Sequence, residues 1–252
     1  MNLFSETLAW LSDPANWAGP SGIPTRLGQH LAITAIAVLL AAVISLPAGV
    51  LIGHTRRGAG FVGGLTGAAR ALPTLGVLTL LGLAFGIGLA APLLALIVLA
   101  IPSLLAGAYA GVQSVDPTLP SAARAIGLSP TQVILRVEVP LALPILVGGI
   151  RAATLQVVST ATLAAYTADF GLGRYLFAGL KTRDYPQMLG GTILVIALTL
   201  ALDVVLACCQ RAAQRVRDPG GTSGSKKLSD ATNHDRTNTV QHLHLRRKGS
   251  TP

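Results

Sequence analysis

The chain has few charged residues, few aromatic residues and almost no cysteine. Only 12% of its 252 residues are charged, which is about half the share of an average soluble domain. The two cysteines, Cys208 and Cys209, are adjacent, which excludes a disulfide framework and a cysteine-based zinc site. Aromatic residues make up 4%, too few for a nucleic-acid platform of stacked rings. Hydrophobic residues make up 51% and the mean hydropathy is +0.61, which indicates a membrane protein.

The net charge of +9 is concentrated near the end of the chain. Nine of the nineteen lysines and arginines lie after residue 210, and the others are scattered singly or in pairs between long apolar segments. Because they form no continuous basic face, we expect no nucleic-acid partner. A basic tail beside a membrane is instead typical of cytoplasmic placement and of contact with anionic membrane lipid.

Long uncharged segments predict five transmembrane helices, since about 20 apolar residues cross the hydrocarbon core. Residues 71–115 contain no charged side chain and no histidine, and they are about twice as long as one crossing needs. They must therefore fold back, and Gly86-Ile87-Gly88 with Pro92 provides the break. The predicted spans are 31–53, 70–88, 91–111, 145–167 and 187–208. The sequence thus predicts an all-α polytopic membrane protein.

The segments outside the spans complete the predicted organisation. Residues 1–25 form an extracytoplasmic or interfacial segment, in which Trp10 and Trp17 suit the level of the lipid headgroups. Residues 26–210 form the transmembrane domain, and residues 211–252 form a basic cytoplasmic tail. The tail is rich in small polar and charged residues. It has too little apolar surface to offset its ordering entropy, so we expect it to be disordered.

The positions of lysine and arginine predict the orientation, because cytoplasmic loops carry an excess of these residues. With the N-terminus outside, nine of them lie in inner segments near the spans and four lie in outer segments. The inner set is Arg56, Arg57, Arg124, Arg136, Arg211, Arg215, Arg217, Lys226 and Lys227, and the outer set is Arg26, Arg174, Lys181 and Arg183. This distribution favours an outer N-terminus and a cytoplasmic C-terminus.

The longest inner segment within the domain, residues 116–140, begins with a predicted short helix. Asp116-Pro117 starts a turn, and either Thr118 or Ser121 caps the helix that follows. Gly127 ends this helix, as glycine commonly does. Its alanines leave room for the groove of another protein to approach closely, so we interpret it as a docking element.

A second, amphipathic helix is predicted to follow the docking helix. Ser129-Pro130 supplies its start signal, because serine caps helices and proline fits their first turn. Pro140 is expected to stop it, because proline lacks the backbone donor that a continuing helix needs.

This segment carries a spaced motif. Ala122-Ala123 is followed after three residues by Gly127, and after nine more by Val137-Glu138-Val139-Pro140. The motif resembles the inner loop of the permease subunits of binding-protein-dependent ABC importers, which has Glu-Ala-Ala in place of the first pair. Ser121 stands where that family usually has glutamate, so a charge is missing, but a side chain able to cap a helix remains.

Further segments resemble the osmoprotectant branch of these importers, which takes up glycine betaine, carnitine, choline or proline-like solutes. The similar segments are 72–75, 116–117, 138–144, 149–151 and 170–173. They extend the resemblance across most of residues 26–210. The resemblance implies a type I ABC importer permease fold with a cytoplasmic coupling loop at 116–140.

The resemblance also implies a function, a location and partners. A cytoplasmic ABC ATPase binds the coupling loop, for which the site residues are Ser121, Ala122, Ala123, Gly127 and Pro140. An extracytoplasmic solute-binding protein delivers the solute, and a second permease copy or a paralogous permease completes the pathway in the bacterial inner membrane. The chain contains no GxxxxGK[ST] sequence, so it is not expected to hydrolyse ATP itself. No catalytic residue, cofactor or metal ion is predicted.

Several ionisable and aromatic residues lie near the predicted spans. Arg151 is expected to support the coupling loop through Glu138. Arg70, Arg151 and Asp203 lie near the predicted inner ends of spans, where long side chains reach the interface. The aromatic residues Tyr109, Tyr166, Phe170 and Tyr175 have no common spacing, so we expect no tight aromatic cage for a quaternary ammonium group.

Three alternatives remain open from the sequence. The first is an ABC importer permease for a different small solute. The second is a secondary transporter that needs no ATPase, although such proteins normally have membrane-embedded carboxylates or inverted repeats. The third is a membrane enzyme, which would require a cluster of reactive side chains. Co-purification of an ATPase through residues 116–140 separates the importer from the other two classes.

Overall fold

The computed structural model describes residues 2–217, and the predicted disorder of residues 218–252 lies outside them. The described part consists of helices joined by short connections. Its ten α-helices are α1 (Leu3–Ser12), α2 (Ile23–Thr55), α3 (Ala59–Ala71), α4 (Thr74–Phe85), α5 (Ala90–Gln113), α6 (Thr118–Ala125), α7 (Pro130–Val133), α8 (Val139–Thr160), α9 (Gly173–Thr182) and α10 (Tyr185–Arg217). Two 3₁₀ helices, Pro14–Trp17 and Ala161–Tyr166, and a π-helical turn, Ile134–Glu138, complete them.

Four helical segments are long and apolar enough to cross a membrane. They are Ile23–Thr55, Ala90–Gln113, Pro130–Tyr166 and Tyr185–Arg215, and the bent pair of α3 and α4 makes a fifth if it counts as one span. The predicted all-α polytopic fold is therefore confirmed.

The predicted span at 70–88 is not one straight helix. Helix α3 ends at Ala71 and α4 begins at Thr74, with an angle of 84° between the two helical axes. Leu72 is extended because the ring of the following Pro73 disfavours a helical backbone in the residue before it. The chain then turns at Gly86 and Gly88, whose φ angles of 80° and 143° are accessible to glycine.

Helix α5 lies between α2 and α8 and forms the centre of the bundle. The main buried cluster combines small and branched side chains from these three helices: Ile33, Ala37 and Ala41 from α2, Leu96, Ala100 and Leu104 from α5, and Ala153 and Val157 from α8. A second cluster, formed by Ala108, Val112, Val115, Ala142 and Leu146, continues the core towards the coupling loop. The two ends of the 116–140 segment therefore emerge from tightly packed helices.

Helices α5 and α8 touch through two facing glycines, Gly107 and Gly149. A β-carbon added to Gly107 would lie 2.6 Å from the Cα of Gly149, and one added to Gly149 would lie 2.7 Å from the Cα of Gly107. Only residues without a side chain allow two helix backbones to approach this closely, a device that membrane helices use widely. Any larger residue at either position must move a whole helix.

The ends of the described region differ in part from the predicted organisation. Helix α10 continues through Arg217, so residues 211–217, predicted to belong to the disordered tail, are helical instead. The run of apolar residues ends before the helix does, and the last turns of the helix consist mainly of charged and polar residues. Within residues 1–25, Trp10 contacts Tyr175 edge-on at 5.2 Å, while Trp17 is 49% exposed.

We predict that Gly149→Ala separates α5 from α8 and lowers the free energy of unfolding by about 1–3 kcal/mol, the usual cost of overpacking. The apparent melting temperature of the detergent-solubilised protein measures this loss. Gly67→Ala is the matched control, because Gly67 lies in α3 with no atom within 4 Å of an added β-carbon. Equal melting temperatures for the two variants would contradict the close contact.

Candidate functional site

The coupling loop begins with a carboxylate that fixes the first turn of α6. The Oδ1 atom of Asp116 accepts hydrogen bonds from the backbone N–H of Thr118 at 2.9 Å and from its hydroxyl at 2.8 Å. The hydrogen bonds from Thr118 lower the pKa of Asp116, because they stabilise the ionised form. The contact is therefore present at neutral pH and is lost only when the pH falls through that lowered pKa.

The predicted caps of this helix, Thr118 and Ser121, do not have that role. The hydroxyl of Ser121 donates to the carbonyl of Pro117 at 2.8 Å, a bond to the preceding turn rather than to a free N–H. Ser121 therefore lies inside α6, one turn after its start. Asp116 performs the capping because its carboxylate oxygen lies two residues before the N–H groups that need an acceptor.

The end of α6 follows the sequence prediction. Gly127 has a φ angle of 95°, and its N–H donates to the carbonyl of Arg124 at 3.0 Å while that of Leu128 donates to Ala123 at 3.1 Å. Ser129 then starts α7 with a capping box, in which its side chain and backbone exchange hydrogen bonds with Gln132. Two adjacent caps thus fix the direction of the chain between the helices.

Pro140 does not stop the second helix, contrary to the prediction. Helix α7, the π-helical turn at 134–138 and α8 follow one another without interruption. The N–H of Val139 donates to the carbonyl of Ile134, five residues earlier, so this turn is wider than an α-helical one. The wider turn accommodates the missing N–H and the ring of Pro140. As a result α7 is a rigid extension of the span α8.

Most of the predicted coupling residues are exposed. Ser121, Ala122 and Gly127 are exposed, whereas Ala123 is only 8% exposed and faces inward. Next to them, Ile126 is 80% exposed. A large apolar side chain beside small ones, on a segment outside the spans, is typical of a surface that another protein covers.

Glu138 connects the coupling loop to the end of α2. Its side chain is 3% exposed, and its Oε2 atom lies 2.7 Å from Nδ1 of His54. An ionised Glu138 can only accept this hydrogen bond, which then comes from Nδ1 of the imidazole. Nearby, Nη2 of Arg56 donates to the carbonyl of Val115 at 2.9 Å. The end of α2 and the residue that follows it therefore hold both flanks of the coupling loop.

Arg151 does not contact Glu138, so that predicted pair is wrong. Its Nε and Nη2 atoms donate to the two carboxylate oxygens of Asp203 at 2.7 and 3.0 Å, and Nη1 donates to Gln210 at 3.2 Å. The reason is distance, since about 20 Å of helix separates Arg151 from Glu138. The partners His54 and Asp203 belong to other helices, and no spacing along the sequence identifies them.

Within residues 2–217, no three histidine, cysteine, aspartate or glutamate side chains are close enough to share a metal ion. The candidate site is an exposed helix with small side chains, whose flanking residues Val115 and Glu138 are bonded to Arg56 and His54 at the end of α2.

The ion pair between Arg151 and Asp203 gives a testable rescue. Reversing either charge alone leaves two like charges between α8 and α10, so we expect less folded protein in the membrane. The exchange Arg151→Asp with Asp203→Arg should restore the yield measured by fluorescence-detected chromatography. The combination Arg151→Glu with Glu138→Arg is the control, and rescue there instead would refute the assigned pairing.

Comparisons with known proteins agree with this geometry. Residues 45–217 match the model of the family described as binding-protein-dependent transport system inner membrane component. The chain is 33% identical, over 204 residues, to the glycine betaine/carnitine/choline transport system permease protein OpuCB of Bacillus subtilis (strain 168), a match covering 81% of this chain and 92% of that protein. It is 32% identical over 201 residues to the choline transport system permease protein OpuBB of the same strain, covering 80% and 91%.

A solved structure adds evidence for the fold. The inward-facing MetNI methionine ABC transporter matches with a TM-score of 0.64 and 26% identity, covering 73% of this chain and 93% of the other. The resemblance inferred from Ala122-Ala123, Gly127 and Pro140 is thereby confirmed. The chain belongs to the family of binding-protein-dependent transport system inner membrane components, the permease subunits of ABC importers.

Proposed function

We propose that this chain is the permease subunit of an ATP-driven importer for osmoprotectants such as glycine betaine, choline, carnitine or a proline-like solute. The observation that carries the proposal is the exposed α6, which has defined caps before and after it and whose flanking residues Val115 and Glu138 are bonded to the end of α2. Two relatives that each match about four-fifths of the chain are named as permeases for glycine betaine, carnitine and choline, and for choline. The solute class follows from these relatives.

The proposed mechanism is mechanical and has no chemical step on this chain. A cytoplasmic ABC ATPase receives α6, with Ser121, Ala122 and Gly127 at the contact and Ile126 inserted between them. Ala123 supports the helix from the inside, and Pro140 lies where α7 joins α8. When two ATPases close on ATP, α6 moves and its rigid attachments transmit the motion to the spans, which alternate between inward-facing and outward-facing states.

The orientation and the partners form part of the same proposal. The N-terminus lies outside and the C-terminus lies in the cytoplasm, as the distribution of lysine and arginine favours, and residues 116–140 then face the side where ATP is available. An extracytoplasmic solute-binding protein presents the solute. A second permease, either another copy or a paralogous chain, forms the other half of the pathway, and membrane lipid surrounds both.

The alternative of a secondary transporter has less support. Such proteins use embedded carboxylates to bind coupling ions or protons. In the described spans, Asp203 accepts hydrogen bonds from Nε and Nη2 of Arg151. Glu138 is paired with His54. The other alternative is a permease of the same family for another small solute, and measuring glycine betaine uptake distinguishes it.

Gly127 provides a test of the coupling role. Its φ angle of 95° is strained for any β-branched residue, although an added β-carbon would meet no atom within 4 Å. We expect Gly127→Val to insert normally into the membrane but to lower solute uptake per ATP hydrolysed by about fivefold or more, because the end of α6 is displaced. Gly127→Asn is the matched variant, since asparagine tolerates this backbone conformation, and it should retain coupling. Full coupling in the valine variant would count against the role of α6.

Uptake of labelled glycine betaine at high osmolarity tests the solute. Cells that lack this gene and other glycine betaine carriers are compared with the same cells carrying the intact gene, with unlabelled choline and proline as competitors. We expect the gene to restore uptake. The extent to which each unlabelled competitor lowers this uptake then ranks the solutes. Unchanged uptake would remove the osmoprotectant assignment and leave a permease for another solute.

A further inference from the structure

A second feature lies at the end of the bundle opposite the coupling loop. The connection between α4 and α5, the 3₁₀ helix after α8 and the start and end of α9 surround an open cavity of about 400 Å³. Its chemically distinctive lining residues are Tyr166, Asp169, Phe170, Arg174 and Lys181. The volume lies within the range of small-molecule sites in proteins, and in the proposed orientation the cavity opens on the outer face.

The aromatic wall of this cavity is exposed but held in place. Tyr166 is 58% exposed, and its ring lies 5.9 Å from that of Phe177. The next residue, Thr167, accepts a hydrogen bond at its carbonyl from the N–H of Gly88 at 3.1 Å. The tyrosine ring therefore has an aromatic neighbour while more than half of the side chain remains open to a ligand. Exposed aromatic faces attract cations, and quaternary ammonium ligands use this contact.

The charged wall of the cavity consists of Asp169 with its ion-pair partners and, separately, of Lys181. Oδ1 of Asp169 accepts from Nη2 of Arg26 at 2.8 Å and from Nε of Arg174 at 3.1 Å, and Arg26 also donates to the backbone carbonyl of Asp169. Because Arg26 is 4% exposed, the loop that carries Asp169 is anchored to α2. Lys181 is exposed, and in residues 2–217 no carboxylate lies within ion-pair distance of it.

We propose that this cavity receives a zwitterionic quaternary ammonium solute. The ring of Tyr166 faces the ammonium group, Phe170 forms another part of the lining, and Lys181 with Arg174 attracts the carboxylate. An open cavity without an enclosing cage gives weak binding, which suits a solute that must leave again during transport. This site rests on the proposed function for its solute class, but its position and its residues come from the cavity itself. From the sequence, Tyr166 and Phe170 are among the aromatic residues for which no tight cage is expected, and the fold brings them together with Lys181 around an open cavity instead.

Ligand-observed NMR titration tests the site on the full-length chain in lipid nanodiscs without a binding protein. Glycine betaine and choline are the two probes, and they differ in that choline has no carboxylate. We expect Tyr166→Leu to raise the dissociation constants of both probes by about two- to fivefold, since an exposed cation–π contact has this strength. Tyr166→Phe retains a ring and should bind as the unaltered chain does. Lys181→Gln should weaken the binding of glycine betaine and leave the binding of choline unchanged.

Tyr185→Leu is the matched control for loss of an exposed tyrosine. Tyr185 is 57% exposed and does not line the cavity, so its replacement should leave both dissociation constants unchanged. The site is refuted if neither probe saturates the unaltered chain, or if Tyr166→Leu binds both probes as the unaltered chain does. These outcomes are independent of the cell-uptake experiment, so the solute-uptake proposal can stand while the cavity proposal fails.

Discussion

The contact between α5 and α8 at Gly107 and Gly149 is the constraint on which the rest of the bundle depends. In a bilayer, lipid tails are as apolar as leucine, so close packing replaces the hydrophobic effect as the force between helices. Helix α5 contacts α2 on one side and α8 on the other, and the coupling loop leaves from the end of α5 and returns into α8. Motion of this loop therefore reaches the centre of the bundle through rigid helices rather than through flexible connections.

Polar contacts determine which parts of this bundle move together. The bond between His54 and Glu138 and the bond from Arg56 to the carbonyl of Val115 join α2 to both flanks of the coupling loop. The ion pair between Arg151 and Asp203 joins α8 to α10. Because a buried or membrane-embedded charge is costly without its partner, these pairs favour movement of the joined helices as units. A small displacement of α6 can then become a change in the angle between spans.

Sequence reasoning found the features whose cause is local and missed those whose cause is distant. The end of α6 at Gly127 and the start of α7 at Ser129 were predictable, because caps depend on residues two to four positions apart. Pro140 was misjudged, since one wider turn allows a helix to pass a proline. The partners of Glu138 and Arg151 lie on other helices, so their identity depends on how the bundle packs. The composition and the spaced motif nevertheless sufficed to predict the all-α fold and the permease family.

Reconstitution of transport in proteoliposomes tests whether this chain imports its solute with energy from a partner ATPase. Vesicles contain this chain, its partner permease if one is needed, the ATPase and the solute-binding protein, and the accumulation of labelled glycine betaine is measured. We expect accumulation that requires both ATP and the ATPase and that a proton or sodium gradient cannot drive in their place. Accumulation driven by an ion gradient, in vesicles that contain this chain without the ATPase, would contradict it.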